Sequence, residues 1–147
     1  MIEAAEFIAV LSCTLFAGAA IYINVAEHPA RMGCDTKTAA TVWAPSYQRA
    51  ALMQGSLAML GFLAGVAAWF LGGGTAWLIG ALLIGAVVPF TFIVIMPTNH
   101  QLLAPGRDLA SDETRALLEK WGRLHAVRSA LSLAASALYI WLLLHNY

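Results

Sequence analysis

The sequence predicts an all-α membrane protein, one transmembrane four-helix bundle over residues 1–147 whose fourth helix extends into the cytoplasm. Three observations carry this. The chain is 61% hydrophobic and 11% charged, whereas an ordinary water-soluble domain carries about 25% charged residues. Four apolar runs, at about 4–26, 51–71, 75–96 and 124–144, approach or exceed the roughly 20 residues that carry a helix across a bilayer. All eight Lys and Arg residues fall in two places. Arg31, Lys37 and Arg49 follow the first run; Arg107, Arg115, Lys120 and Arg123 follow the third, with Arg128 just inside the fourth.

The first run begins with Glu3 and Glu6 and is too long for the apolar part of a signal peptide, so it reads as a membrane helix. Its exit is expected near Glu27, because His28 precedes Pro29 and a residue before proline avoids helical geometry. A loop with Gly33, Cys34 and Asp35 follows, with Trp43 and Tyr47 suited to the headgroup level. The second helix, 51–71, is expected to start near Pro45 and to carry Gln54 about one turn inside the membrane. Gly61 and Gly65 make a small-x-x-x-small pair that lets a neighbouring helix, or a second copy in a homo-oligomer, approach closely. Gly72, Gly73 and Gly74 turn the chain into the third helix, 75–96, where Pro89 predicts a kink whose freed carbonyl Thr91 is placed to help satisfy. Met96-Pro97-Thr98-Asn99 ends that helix. Ser111 or Asp112 then caps a fourth helix over 113–145, its first turns outside the bilayer. Trp43 and Tyr47 share the spacing of Trp121 and His125, which hints at a duplicated hairpin.

The positive-inside rule places 27–50 and 97–123 in the cytoplasm of a multi-pass protein of the inner (cytoplasmic) membrane, with both termini on the other side. The formal net charge is zero, which argues against a nucleic-acid partner, since such binding needs a basic surface. Cys13 and Cys34 lie at different depths, too far apart for a disulfide, and read as free thiols.

The same basic side collects the chemistry. Trp121, His125 and Arg128 share one helical face, offering a ring, an imidazole and a fixed cation. Asn24, Glu27 and His28 share a face at the same depth. Asn99 and His100 come from the end of the third helix and Gln54 from the start of the second. Ionisable groups inside membrane segments are rare and tend to mark function. Burying Arg128 against lipid costs roughly 2.5–3.5 kcal/mol on insertion scales, a cost that Glu27 or an anionic ligand would offset. Plainer readings stand beside these: Trp121 as an interfacial anchor, Arg128 as a snorkelling cation, Glu27 as a solvated acid, His100 as an exposed turn residue, His145 as a surface residue. A transition ion held by His28, His100, His125 and Glu27 is an alternative. Against it, the sequence has no His-x-x-x-His, Glu-x-x-His or paired cysteines, and Glu27 and His28 are adjacent.

Four stretches form a familiar set: Glu27-His28-Pro29-Ala30-Arg31; Trp43-Ala44-Pro45-Ser46-Tyr47 with Arg49; Met96-Pro97-Thr98-Asn99 with Leu102; and Trp121-x-x-x-His125-x-x-Arg128. With the four apolar runs they resemble a family of small bacterial and fungal membrane proteins, many known only as a domain of unknown function. That family is grouped with the anthrone oxygenases of fungal polyketide pathways. The resemblance implies oxidation of an anthrone-type phenol to a quinone by O2 without a dedicated cofactor. On that reading His125 is the base, Arg128 stabilises a phenolate or enolate, and Asn99 orients a ring oxygen. Trp121 stacks on the substrate, with His28, Glu27 and Gln54 completing its site. The substrate would be a lipophilic small molecule that reaches the site from the membrane lipids. A metal-binding membrane enzyme and a non-catalytic binding or assembly protein are the competing classes.

Overall fold

The computed structural model describes residues 1–145, and their regular structure is entirely helical. Four helices are long and apolar enough to cross a membrane: α1 (Ile2–Met32), α2 (Thr36–Gly73), α3 (Thr75–Leu102) and α4 (Asp112–His145). They form a four-helix bundle in which α1 packs on α2 and α4, and α3 packs on the same two, so chain neighbours are neighbours in space. The large apolar side chains Phe7, Leu15, Leu63, Leu82, Phe92 and Ile93 point outward on its flanks. Such a surface is suited to lipid and is rare on proteins that meet water.

The helix ends differ from the sequence expectation in an instructive way. α1 does not exit at His28-Pro29 but runs on to Met32. Residues Ile23–Glu27 form a π-helical turn, and the His28 N–H bonds to the Ile23 carbonyl five residues back. The wider turn lets the chain pass Pro29, which has no N–H to give, without leaving the helix. α3 repeats the device: Thr91–Ile95 is a π turn, Met96 N–H bonds to the Thr91 carbonyl, and Pro97 follows. Met96-Pro97-Thr98-Asn99 is therefore inside the helix, which ends at Leu102. The kink expected at Pro89 falls just after Ala86, whose ψ relaxes to −22°. Thr91 Oγ1 donates to the Val87 carbonyl at 2.7 Å.

α2 begins well before Pro45, which lies inside it. Asp35 sets the start: its backbone is extended (φ −62°, ψ 158°) and its carboxylate accepts from Thr38 N–H at 3.0 Å and Thr38 Oγ1 at 2.7 Å. The expected loop after α1 shrinks to a turn of Gly33, Cys34 and Asp35. Trp43, within α2, is buried against its neighbours and stacks flat on Tyr47, with centroids 5.0 Å apart. α4 is capped by Ser111, whose Oγ accepts from Thr114 N–H at 3.1 Å. Arg115, one turn in, donates to the Met32 and Cys34 carbonyls at 2.6 and 3.4 Å and so ties α4 to the end of α1.

The opposite end of the bundle is set by glycines. Gly72 and Gly74 have φ of 101° and 92°, which only glycine adopts readily, and they make the α2–α3 hairpin. Gly65 and Gly80 leave the slot that Tyr139 fills: a Cβ would lie 1.9 Å from the Tyr139 hydroxyl at Gly65 and 2.2 Å from its ring at Gly80. Tyr139 stacks on Trp77 at 4.9 Å and donates to the Trp77 carbonyl at 3.3 Å. A Cβ on Gly61 would come within 3.0 Å of Cys13 Sγ. The Gly61/Gly65 face thus packs against Cys13 of α1, Ala81 of α3 and Tyr139 of α4 within the chain.

Candidate functional site

A polar layer lies between two apolar clusters. One is built around Phe16, Trp77, Ile84 and Tyr139, the other around Trp43, Ile95, Leu118 and Trp121. His28, Arg31, Gln54, His125, Arg128 and Ser129 are all buried in the layer.

His125 is oriented by Asn24. The Asn24 amide donates from Nδ2 to the Gly122 carbonyl at 3.0 Å, so its Oδ1 is an acceptor. That oxygen receives Ser129 Oγ at 2.7 Å and His125 Nδ1 at 2.7 Å. A neutral imidazole here therefore carries its proton on Nδ1 and keeps the lone pair on Nε2. His28 takes the opposite tautomer. Its Nε2 donates to the Leu118 carbonyl at 3.0 Å, and its Nδ1 faces Arg31 Nη1 at 3.4 Å. Gly122 allows this approach of α1 to α4, because a Cβ there would lie 2.7 Å from the His28 ring.

Glu27 does not partner Arg128. Its carboxylate accepts from Arg31 Nη2 and Ser46 Oγ, and Arg31 also donates to Ser46 at 3.2 Å. This Glu27–Arg31 pair is an i,i+4 contact that exists only because α1 continues through Pro29.

Arg128 stands in none of the ion pairs found among the described residues. Its Nη2 donates to Gln54 Oε1 at 2.7 Å, and its guanidinium lies 5.4 Å from the Phe16 ring centre. Arg128 Nε and Gln54 Nε2 are buried donors without a partner. An unmade buried hydrogen bond costs about 1–3 kcal/mol, more for a charged group. Two unsatisfied donors on a hydrogen-bonded pair of residues are suited to receive an oxyanion.

Trp121 is enclosed rather than presented to a ligand. His125, His28 and Trp43 rings lie 4.9, 5.1 and 5.8 Å from it, and Arg31 lies 5.9 Å from its centre. Two cavities meet at Arg128. A small one of about 10 Å³ reaches His125, Trp121, Arg31 and Ser46, and one of about 140 Å³ extends past Phe16, Gly55 and Met96. Gln54, Tyr47 and Ala51 line both.

Of the residues expected at the site, His125, Arg128, Gln54, His28 and Glu27 fall in this layer, with Trp121 in the apolar cluster that borders it. Asn99 is fully buried but lines neither cavity; its Nδ2 contacts Met96 Sδ at 3.9 Å. His100 is exposed at the end of α3. No three His, Cys, Asp or Glu side chains gather as a metal-ligand group among the described residues, so the trio His28, His100 and His125 does not converge. The expectation missed Arg31 and Ser46. Glu27-x-x-x-Arg31 is visible in the sequence as ion-pair spacing, but a helix ended at His28 hides it.

Fold and layer together define a membrane-embedded four-helix protein with a buried histidine and a guanidinium lacking a counter-ion, facing a common cavity. The family model for anthrone oxygenases matches residues 43–138, more than half of the chain. The chain belongs to the anthrone oxygenase family. Over 70 residues it is 40% identical to the anthrone oxygenase tpcL of Aspergillus fumigatus, covering 46% of this chain and 44% of that protein. Over 59 residues it is 36% identical to an anthrone oxygenase of Claviceps purpurea, covering 35% of this chain and 34% of that one. The chain thus aligns with less than half the length of these curated relatives. No solved structure matches it. The matched stretch includes Gln54, Asn99, Trp121, His125 and Arg128, while Asn24, Glu27, His28 and Arg31 on α1 precede it.

Proposed function

We propose that this protein oxidises a lipid-soluble anthrone-type phenol with O2, at the end of the bundle where Arg128 and His125 share a cavity. The observation that carries the reading is Arg128: a buried cation with an unpartnered Nε beside the unpartnered Gln54 Nε2. An anthrone ionises by losing a proton from its ring methylene, which leaves negative charge on the carbonyl oxygen. His125 Nε2 takes that proton, and Asn24 and Ser129 hold the ring so that Nε2 is the basic nitrogen. Arg128 and Gln54 bind the developing oxyanion.

The enolate supplies its own electrons. It forms a carbon–oxygen bond to O2, and the resulting carbon hydroperoxide loses water to leave a second carbonyl. One oxygen atom enters the product, the other leaves as water, and the methylene loses both hydrogens. Trp121 holds His28, Arg31 and His125 in place, and Glu27 neutralises Arg31, so both act as positioning residues. Asn99 is assigned to holding Met96 at the cavity wall.

The test is O2 uptake by the protein reconstituted in lipid vesicles and given dihydroxyanthrone, measured above the spontaneous rate. His125→Ala and Arg128→Gln should each lower turnover about 100-fold or more. Full turnover in both variants overturns the role of this site. Uptake by the unsubstituted protein no faster than by empty vesicles overturns the activity.

A further inference from the structure

We propose that the crevice between α2 and α3 is the lateral entrance of this site, through which a planar phenol slides edge-on from the bilayer toward Arg128 and His125. This rests on the function proposed above and adds the route and the residues that set substrate size.

Three cavities form a chain. The largest, about 450 Å³, opens on the flank of the bundle and is lined by Ala58, Phe62, Leu82, Gly85, Val88 and Pro89. That volume is within the range of drug-sized ligand sites, about 300–1,000 Å³. It shares Ala58 and Val88 with the 140 Å³ cavity, which in turn shares Gln54, Tyr47 and Arg128 with the small cavity at His125. Apolar walls on the lipid side thus lead to an uncompensated cation at the inner end. The occupant that fits both is a flat apolar body with one anionic oxygen. The innermost space, about 10 Å³, is too small for a ring. It holds at most one small molecule such as water, so the ring system stops beside Arg128 and Gln54, and its methylene proton passes to His125 through that water.

The sequence builds the opening locally. Pro89 has no N–H for the Gly85 carbonyl, and Ala86 departs from regular helical ψ, so the α3 hydrogen-bond ladder is interrupted at this level. Gly85 lets Phe62 lie against α3, since a Cβ would come within 2.7 Å of the Phe62 ring. Phe62 forms the outer wall, while Ala58 and Gly55 keep the α2 side low. A Cβ on Gly55 would meet nothing within 4 Å.

Two measurements test this. Ala58→Phe and Val88→Phe narrow the passage without touching His125 or Arg128. Each should raise KM for dihydroxyanthrone about ten-fold or more while changing the inhibition constant of a single-ring phenol much less, because pocket shape discriminates by size. Leu15→Phe, on the outer face of α1, should change neither. Equal effects on the large substrate and the small inhibitor, or none, overturn the entrance. The second measurement stands apart from turnover and from the folding of the bulky variants. A cysteine at Leu82, exposed at the mouth of the crevice and labelled by a membrane-permeant maleimide above the unsubstituted background, should be protected by dihydroxyanthraquinone, and one at Leu15 should not. Protection without any turnover keeps the entrance and sinks the oxidation. Turnover with no protection at Leu82 sinks the entrance and keeps the oxidation.

Discussion

His125 depends on a residue that never approaches the cavity wall. Asn24 is locked by the Gly122 carbonyl, and its Oδ1 dictates which imidazole nitrogen holds the proton. Asn24→Leu should therefore free the ring to adopt either tautomer. The expected result is a fall in kcat of about ten-fold or more with KM nearly unchanged, since Arg128 and Gln54 still bind the oxyanion. Nitrogen NMR of labelled histidine gives the decisive reading: Nδ1-protonated His125 in the parent and a mixture in the variant. An unchanged tautomer in the variant refutes the positioning role. His125 and Arg128 are legible in the sequence because a histidine and an arginine inside an apolar run stand out by cost alone. Asn24 is legible only as a face-mate of His28. Its tie to His125, 101 residues away, is a tertiary contact that no local spacing encodes.

The helix ends are set by terms that local residue spacing does not carry. Two X-Pro pairs, His28-Pro29 and Met96-Pro97, carry the local signature of a helix end, yet each follows a π turn that lets the helix continue. The competing term is the bilayer, which favours keeping backbone groups paired within a helix. Asp35, in contrast, is a start signal of the ordinary kind. Its exposed carboxyl is held below the usual carboxylate range by hydrogen bonds from the Thr38 N–H and hydroxyl. A depressed pKa means the cap contributes above the unfolded value, about pH 4, and is lost as pH falls through the folded one. Hydrogen exchange of the Thr38 amide should be faster in Asp35→Ala than in the parent at neutral pH, and the difference should vanish in acid. At the other end of the bundle, Gly80→Ala should destabilise by about 1–3 kcal/mol, because the added methyl collides with Tyr139. The same change at Gly55, where a Cβ meets nothing, should not, and equal thermal stability of the two variants refutes the packing account.

At the scale of the whole molecule, charge and chemistry share one end. The end of α1, the start of α2, the end of α3 and the start of α4 carry the Lys and Arg residues, and the polar layer lies just inside them. The positive-inside bias predicts that this end faces the cytoplasm. The proposed oxidation is compatible with that arrangement, because the bilayer supplies the apolar substrate from the side. The thiols provide a direct test. Cys34 is exposed in the α1–α2 turn, and Cys13 is buried in the bundle, so a charged maleimide reads Cys34 alone. Intact cells should leave Cys34 unlabelled and inverted membrane vesicles should label it. Thr75→Cys, at the exposed start of α3 beside the glycine hairpin, should show the reverse. Labelling of Cys34 from outside would turn the bundle over and put the basic residues on the wrong side for the charge bias.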